Sequence, residues 1–419
     1  MIKSFSIQNY KSILGHTIDL GRLNVFIGEN GSGKTNILEA MAMAATVAGG
    51  QKLEAEALHS RGVRVAKPSL TFSSFLGQKQ IPKGEFVCGF ATDAGKSREI
   101  RFVVSAKAKA KSEIDAAWSA AVMPPPQSAE KHAGSAVVSA KAKTKSKIDA
   151  DRSFPVMLSP LRRAAALGEE ALLREIRRQA ALSLDPELAS FVERDLDPFI
   201  IYNLNPLALR GLQATSLKAP LGVNGEYLDV FVSTFKKAEM ADLIARARLV
   251  SWVDNVVVDV ADKLKFKGYK PGRSVSVLYF RDRFMRRGNN LFSAENANEG
   301  ILHVLFYLAL FMSDRTPRVF GIDNIETALN PQMCRELIKE LAALAKTHHK
   351  QALITTHNPA ILDGLNLHDD DQRLFVVSRN DHGHTVTERI KVKPQAPGEK
   401  YKLSELWMRG HLGGLPHRF

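Results

Sequence analysis

Eight residues, Gly28-Glu29-Asn30-Gly31-Ser32-Gly33-Lys34-Thr35, have the types and spacing of a phosphate-binding loop. Glycines at Gly31 and Gly33 let the backbone curl so that successive N–H groups, with those of Asn30 and Ser32, point inward at a phosphate. A helix beginning after the loop adds its positive N-terminal end. Lys34 has the length to reach β- and γ-phosphates, and the Thr35 hydroxyl suits Mg²⁺. The flanking runs fit this chemistry: an apolar strand pattern over Leu23 to Ile27 and a helical pattern over Asn36 to Ala45. The motif points to a nucleoside triphosphate and is silent about purpose.

The other half of such a site must come from distant chain. The strand pattern Val319-Phe320-Gly321-Ile322 ends in Asp323, where a magnesium-orienting carboxylate belongs in a phosphate-loop protein. A further strand, Gln351 to Thr356, ends in His357. A histidine at a strand end is commonly structural, but this one is expected at the C-terminal edge of a parallel sheet, where ligands collect, so a γ-phosphate sensor is the favoured reading.

The elements that hold these residues read as an α/β chain. Strands are expected at Ile2 to Tyr10 and His16 to Leu20, and a hairpin at Glu85 to Thr92 with Glu99 to Ser105. The segment 105–153 is Ala/Lys/Pro-rich and contains a near-repeat, Val103 to Ala116 reappearing at Val137 to Ala150, so it reads as an insertion without fixed structure. Residues 154–263 read as a mainly helical lobe inserted into the sheet domain, with helices at Gly168 to Leu184, Glu187 to Arg194 and Glu239 to Val258. Residues 1–104 and 264–419 then form the two parts of that domain. In the second part, strands at Ser274 to Phe280, Arg318 to Asp323, Gln351 to Thr356, Arg373 to Arg379 and His384 to Val392 alternate with helices at Gly300 to Met312 and Pro331 to Ala345, which predicts a largely parallel sheet covered on both faces.

Composition sets the outer bounds. With 419 residues, 45% hydrophobic, the chain can bury a large core. No apolar run reaches the roughly 18 residues of a membrane helix, and the N-terminus shows no signal-peptide core, so a cytoplasmic protein without a membrane partner is expected. Two cysteines, Cys88 and Cys334, are too few for a disulfide framework or a thiolate metal site. A net charge of +14 favours an anionic partner such as DNA, although the eight Lys against four acids of Ser105 to Ala150 account for part of it. The segment Lys263 to Arg287 sets nine basic residues against Asp282 and interleaves five aromatic ones; nucleic-acid contact and a strand with one solvated side are equally compatible with that pattern.

Together these residues resemble the ABC-type ATPases of the SMC, RecF and OLD kind. The resemblance rests on Gln8-Asn9-Tyr10-Lys11-Ser12, the phosphate loop with Asn36, the Asp323 strand, the Ala328-Leu329-Asn330 turn and the His357 switch. It implies an ABC-type fold, a mixed sheet flanked by helices, with ATP and Mg²⁺ as cofactors. It adds Lys11, Ser12 and Asn36 to the nucleotide-binding residues and makes Lys34, Asp323 and His357 catalytic. In that family two heads clamp ATP head to tail, each site completed by the partner's Ser-x-Gly signature loop; Asn298 to Gly300 is the similar element here, with Asn298 in place of serine. The family also carries Glu after the strand's Asp as its hydrolytic base, whereas this chain has Asn324, which cannot take a proton near neutral pH. Glu326 is the nearest substitute, unless it caps the helix at Pro331. Slow hydrolysis and an ATP-held switch follow. No coiled-coil heptads and no room for a nuclease domain are found, and the Leu403 to Pro416 segment looks like the tail of stand-alone bacterial ATPases, many from phage-defence or toxin-like systems beside an effector gene. The resemblance therefore implies a homo-oligomer acting with a separate nuclease or toxin, the alternative being a RecF-like DNA-repair ATPase.

Overall fold

The computed structural model describes residues 1–49, 51, 53–64, 68–76, 84–92, 100–106, 118–123, 190–212, 220–265, 276–391 and 402–414. In chain order it opens with β1 (Ile2–Tyr10), β2 (Ile13–Asp19), β3 (Leu23–Ile27), α1 (Lys34–Ala48) and α2 (Ala55–His59). Strands β4 (Gly84–Thr92), β5 (Ile100–Ala106), β6 (Trp118–Met123) and β7 (Ile201–Tyr202) follow. Next come α3 (Pro206–Leu209), α4 (Leu228–Ser233), α5 (Lys237–Ala247), β8 (Val253–Val258), β9 (Leu278–Asp282) and β10 (Leu291–Ser293). The last part holds α6 (Glu299–Met312), β11 (Val319–Ile322), α7 (Pro331–Thr347), β12 (Gln351–Thr356), β13 (Gln372–Arg379), β14 (Thr385–Ile390) and α8 (Leu403–Met408).

The core sheet runs β14-β13-β3-β12-β11-β7, parallel throughout except for antiparallel β14 at its edge. Its strands alternate between two apolar layers, as the two-residue period requires. Leu23, Val25 and Ile27 of β3 face α6 and α7, while Phe26 faces α1. A second, antiparallel sheet, β2-β1-β4-β5-β6, covers the other side of α1. Sandwiched between sheets, α1 buries every residue from Ile37 to Thr46, and its small residues Ala40, Ala42, Ala44 and Ala45 leave room for that. Gln351 ties the two sheets together, accepting from Ile2 N at 3.0 Å and donating to the Ile2 and Gly21 carbonyls. A third, short sheet runs β10-β9-β8.

The α/β class and the mixed sheet flanked by helices are as the sequence indicates; three local expectations are corrected. The parallel arrangement is confined to the core sheet, because β1, β2, β4, β5 and β6 form a sheet of their own. Within the segment expected to lack structure, Ser105 and Ala106 end β5 and Trp118–Met123 pairs with that strand; residues 107–117 and 124–153, and the expected helix at Gly168 to Leu184, lie outside the described residues. The inserted region is also not simply helical. Glu239 to Val258 is helix only to Ala247 and then strand β8, where the β-branched run Val256-Val257-Val258 finds β9 as partner. Val192–Leu196 is a single π-turn, and Ile201–Tyr202 joins the core sheet beside β11.

Candidate functional site

Strand β3 delivers Gly28 to the C-terminal edge of the core sheet, and α1 leaves from Gly33. Gly31 and Gly33 have φ of 77° and 109°, a region in which side chains are strained. A Cβ on Gly33 would lie 2.2 Å from Thr385 Oγ1, and one on Gly28 2.0 Å from the Val377 carbonyl oxygen, so neither position has room for one. The cap of α1 has no side chain to occupy its first amide groups, which leaves the positive helix end for an anion. Lys34 Nζ donates to the Gly28 and Glu29 carbonyls at 2.9 and 2.8 Å. Burial pulls its pKa down to about 8, against the opposing pull of Asp323, Glu326 and Glu29. The Ser32 hydroxyl is buried without a hydrogen-bond partner among the described residues.

A relay of side chains braces the loop from behind. Asn36 Nδ2 donates to Ser12 Oγ at 2.7 Å, Ser12 Oγ meets Thr385 Oγ1 at 2.7 Å, and Thr385 Oγ1 donates to the Ser32 carbonyl at 2.7 Å. Beside it, the buried carboxylate of Glu39 takes Lys11 Nζ at 2.5 Å and Arg64 Nε at 2.8 Å. Burial pushes Glu39 upward, but the Arg64 hydrogen bond and the Lys11 charge outweigh it and hold the acid below the usual carboxylate range.

Across the loop, Asp323 leaves the end of β11 with two hydroxyls on its carboxylate. Thr35 Oγ1 donates at 3.0 and 3.2 Å to its two oxygens, and Thr355 Oγ1 donates at 2.5 Å. The same Thr355 hydroxyl accepts the Asn324 N–H at 2.9 Å and so fixes the turn in which Asn324 sits at φ 57°. Glu326 turns back toward the site: its Oε1 accepts the His357 backbone N–H at 2.8 Å, while the buried Oε2 has no partner among the described residues. The helix cap that competed for Glu326 is made by Asn330, whose side chain accepts from Met333 N. Burial, then the Lys34 charge, lower the His357 pKa, against Glu326, Asp323 and a backbone hydrogen bond to Gly28; the imidazole is neutral at pH 7.

Lys34, Thr35, Asp323, Glu326 and His357 are thus brought to one edge, with Asn30 and Gly31 exposed above them. Lys11, Ser12 and Asn36, which the family resemblance put on the nucleotide, have their polar atoms on Glu39, Thr385 and each other. Asn298 caps α6 by accepting from Gly300 N at 2.8 Å, and Gly300 packs near the Ala328 carbonyl rather than on the loop. On the far side of the loop, a Cβ on Gly414 (φ 72°) would lie 2.3 Å from Val376 Cγ1 and 3.8 Å from Gly28 Cα. Sequence reasoning missed Glu39, Arg64, Thr355 and Thr385; only Thr355, at the end of the strand leading to His357, carried a positional signal. A serine hydroxyl without a partner among the described residues, glycines without space for Cβ, a lysine whose pKa burial lowers to about 8 and a hydroxyl–carboxylate pair suit a triphosphate with Mg²⁺. Among the described residues no three His, Cys, Asp or Glu could hold a metal, so such an ion would lean on Thr35, Asp323 and phosphate oxygens.

Comparisons with known proteins agree with this geometry. Residues 23–363 match the family described as AAA domain, putative AbiEii toxin, Type IV TA system. Among solved structures, an Smc head bound to the C-winged helix domain of ScpA is similar at 12% identity and TM-score 0.52, covering 93% of this chain and 98% of that one. The SMC head domain from Thermotoga maritima matches at 12% identity and TM-score 0.46, with 93% and 99% covered. No match was found among curated proteins. The family match spans both the phosphate loop and the Asp323 strand, and the chain belongs to that family: it is an AAA-type ATPase with the fold of an SMC head.

Proposed function

We propose that this protein is an ATP-dependent switch that pairs head to tail with its own kind and governs a separate effector, a nuclease or toxin, in bacterial anti-phage defence. The observation that carries the switch reading is the turn after Asp323. The position of the usual base is Asn324, its backbone pinned to Thr355, and the nearest carboxylate, Glu326, has one oxygen on the His357 N–H. ATP with Mg²⁺ supplies a γ-phosphate whose charge differs before and after hydrolysis. Lys34 and the loop amides hold the phosphates, Thr35 and Asp323 orient the metal, and His357, neutral and tied through Glu326 to the Asp323 turn, senses the third phosphate. With no proton acceptor at Asn324, hydrolysis is slow and ATP persists at the interface. Asn298 and the N-terminal end of α6 face the partner's γ-phosphate in that pairing, the amide donating where serine does in the wider family. The toxin wording of the family description and the partner held by the similar Smc head support an effector-linked role.

The test is phosphate release with Mg-ATP, beside particle mass by light scattering. Lys34→Ala is expected to remove ATP-dependent assembly, and Asn324→Glu to raise turnover by tenfold or more and shorten the lifetime of the assembled state. Fast turnover of the unaltered protein that Asn324→Glu leaves unchanged would overturn the switch reading. A second reading, a DNA-engaging ATPase of the RecF kind, is favoured by the arginine-rich loop after β9.

A further inference from the structure

The segment made of the end of β9 and the loop to β10 projects charge and two apolar side chains that nothing among the described residues uses. Its sequence is Arg281-Asp282-Arg283-Phe284-Met285-Arg286-Arg287-Gly288-Asn289-Asn290. Phe284 is 75% exposed and Met285 46%, whereas most other phenylalanines among the described residues are buried in the cores. The side chains of Arg281, Arg286 and Arg287 are exposed and form no ion pair or hydrogen bond among the described residues. The one acid, Asp282, turns its Oδ1 to the Phe284 N–H at 2.7 Å. Of the four arginines only Arg283 is committed, donating to the Val253 carbonyl at 2.6 Å.

The loop is also built. Asp282 N donates to the Asn290 carbonyl at 2.8 Å and Arg283 N to Trp252 at 3.0 Å, closing its base on both sides. Asn290 Nδ2 returns to the Asp282 carbonyl, Asn289 N closes on the Arg286 carbonyl, and Gly288 at φ 96° makes the turn. These bonds hold Phe284 outward at little further entropic cost when a partner covers it.

We infer that this loop is a nucleic-acid wedge: Arg281, Arg286 and Arg287 engage phosphates, and Phe284 with Met285 stacks on or slips beside an unstacked base. Guanidinium groups match phosphate oxygens two bonds at a time, which a solvated lysine face does not. An aromatic ring beside those cations is the pairing that single strands and kinked duplex steps reward. The overall charge of +14 steers such a polyanion toward the surface. An anionic membrane offers the same charge, but a fixed loop with only two apolar side chains gives it little to bury. The inference stands apart from the nucleotide site, since none of these residues touches it.

The experiment is fluorescence anisotropy of labelled single-stranded and duplex DNA and RNA with the full chain over rising salt. Arg286→Glu with Arg287→Glu is expected to weaken binding more than tenfold at low salt and to flatten the salt dependence by roughly one unit of slope per lost contact. Phe284→Ala with Met285→Ala is expected to weaken binding about fivefold or more and leave the salt slope unchanged. Tighter binding of single strand than duplex marks stacking on an open base; the reverse marks insertion at a duplex step. Unchanged affinity in both double variants would overturn the proposal, as would capture on phosphatidylserine vesicles that the Phe284 variant abolishes while nucleic-acid binding persists. Lys34→Ala, run alongside, separates the two ideas: it is expected to lose ATP and keep nucleic acid.

Discussion

Lys34 holds its charge where burial disfavours it, and that makes nucleotide affinity depend on pH. In the free protein its proton leaves as pH rises through about 8. A triphosphate beside it favours the cation, so binding above that pH must bring a proton with it. Affinity for Mg-ATP is therefore expected to be flat below pH 7 and to fall at a limiting rate of roughly tenfold per unit above about 8, which calorimetric titration across that range checks. His357 adds no opposing change there, because its lowered pKa leaves it neutral throughout. That the phosphate loop, Asp323 and His357 lie together was legible in the sequence, because each follows the end of an apolar strand of one parallel sheet. Glu39 and Arg64 were not. A glutamate inside an apolar helix and an arginine in a loop acquire meaning only when Lys11, 28 positions before Glu39, arrives on the same carboxylate.

At the scale of elements, one buried lysine shows how the sheet's connections are closed. Lys350, 1% exposed at the start of β12, donates to the Ser313, Thr316 and Pro317 carbonyls and to Thr316 Oγ1 at 2.6 to 3.2 Å. It gathers the turn between α6 and β11 against the turn after α7. Lys350→Met leaves those oxygens buried without a donor and is expected to cost about 3 kcal/mol, read from urea denaturation with an unchanged slope. Elements with local causes were readable beforehand: α6 and α7 from apolar spacing, β12 and β13 from continuous apolar runs. Elements with distant causes were not. β7 has two residues and exists because β11 lies beside it, and β8 follows a helix whose apolar period its own valines extend until β9 pairs with them. β6 lies in an alanine- and lysine-rich stretch whose composition gives no strand signal apart from Trp118 and Val122.

At the scale of the whole molecule, two of the three sheets enclose α1 among the described residues, with the phosphate loop at one end of that helix and contacts from both the beginning and the last part of the chain converging on it. Ser12 reaches it from the β1–β2 turn, Asp323 and Thr355 from the middle of the core sheet, Thr385 from its edge. Gly414, far along the chain, lies against Val376 and the first glycine of the loop with no room for a methyl group. Gly414→Ala is expected to weaken Mg-ATP binding several-fold through strain alone, at unchanged ionic-strength dependence, measured with a fluorescent ATP analogue. The loop thus has a back door as well as a front. The segment from Leu403 is moored by Ser404 to Asp363, a few residues beyond His357, and its glycine end leans on Gly28. Gly414 and Gly28 thus share one packed contact across nearly the whole length of the chain, and bulk added at either is felt at the other.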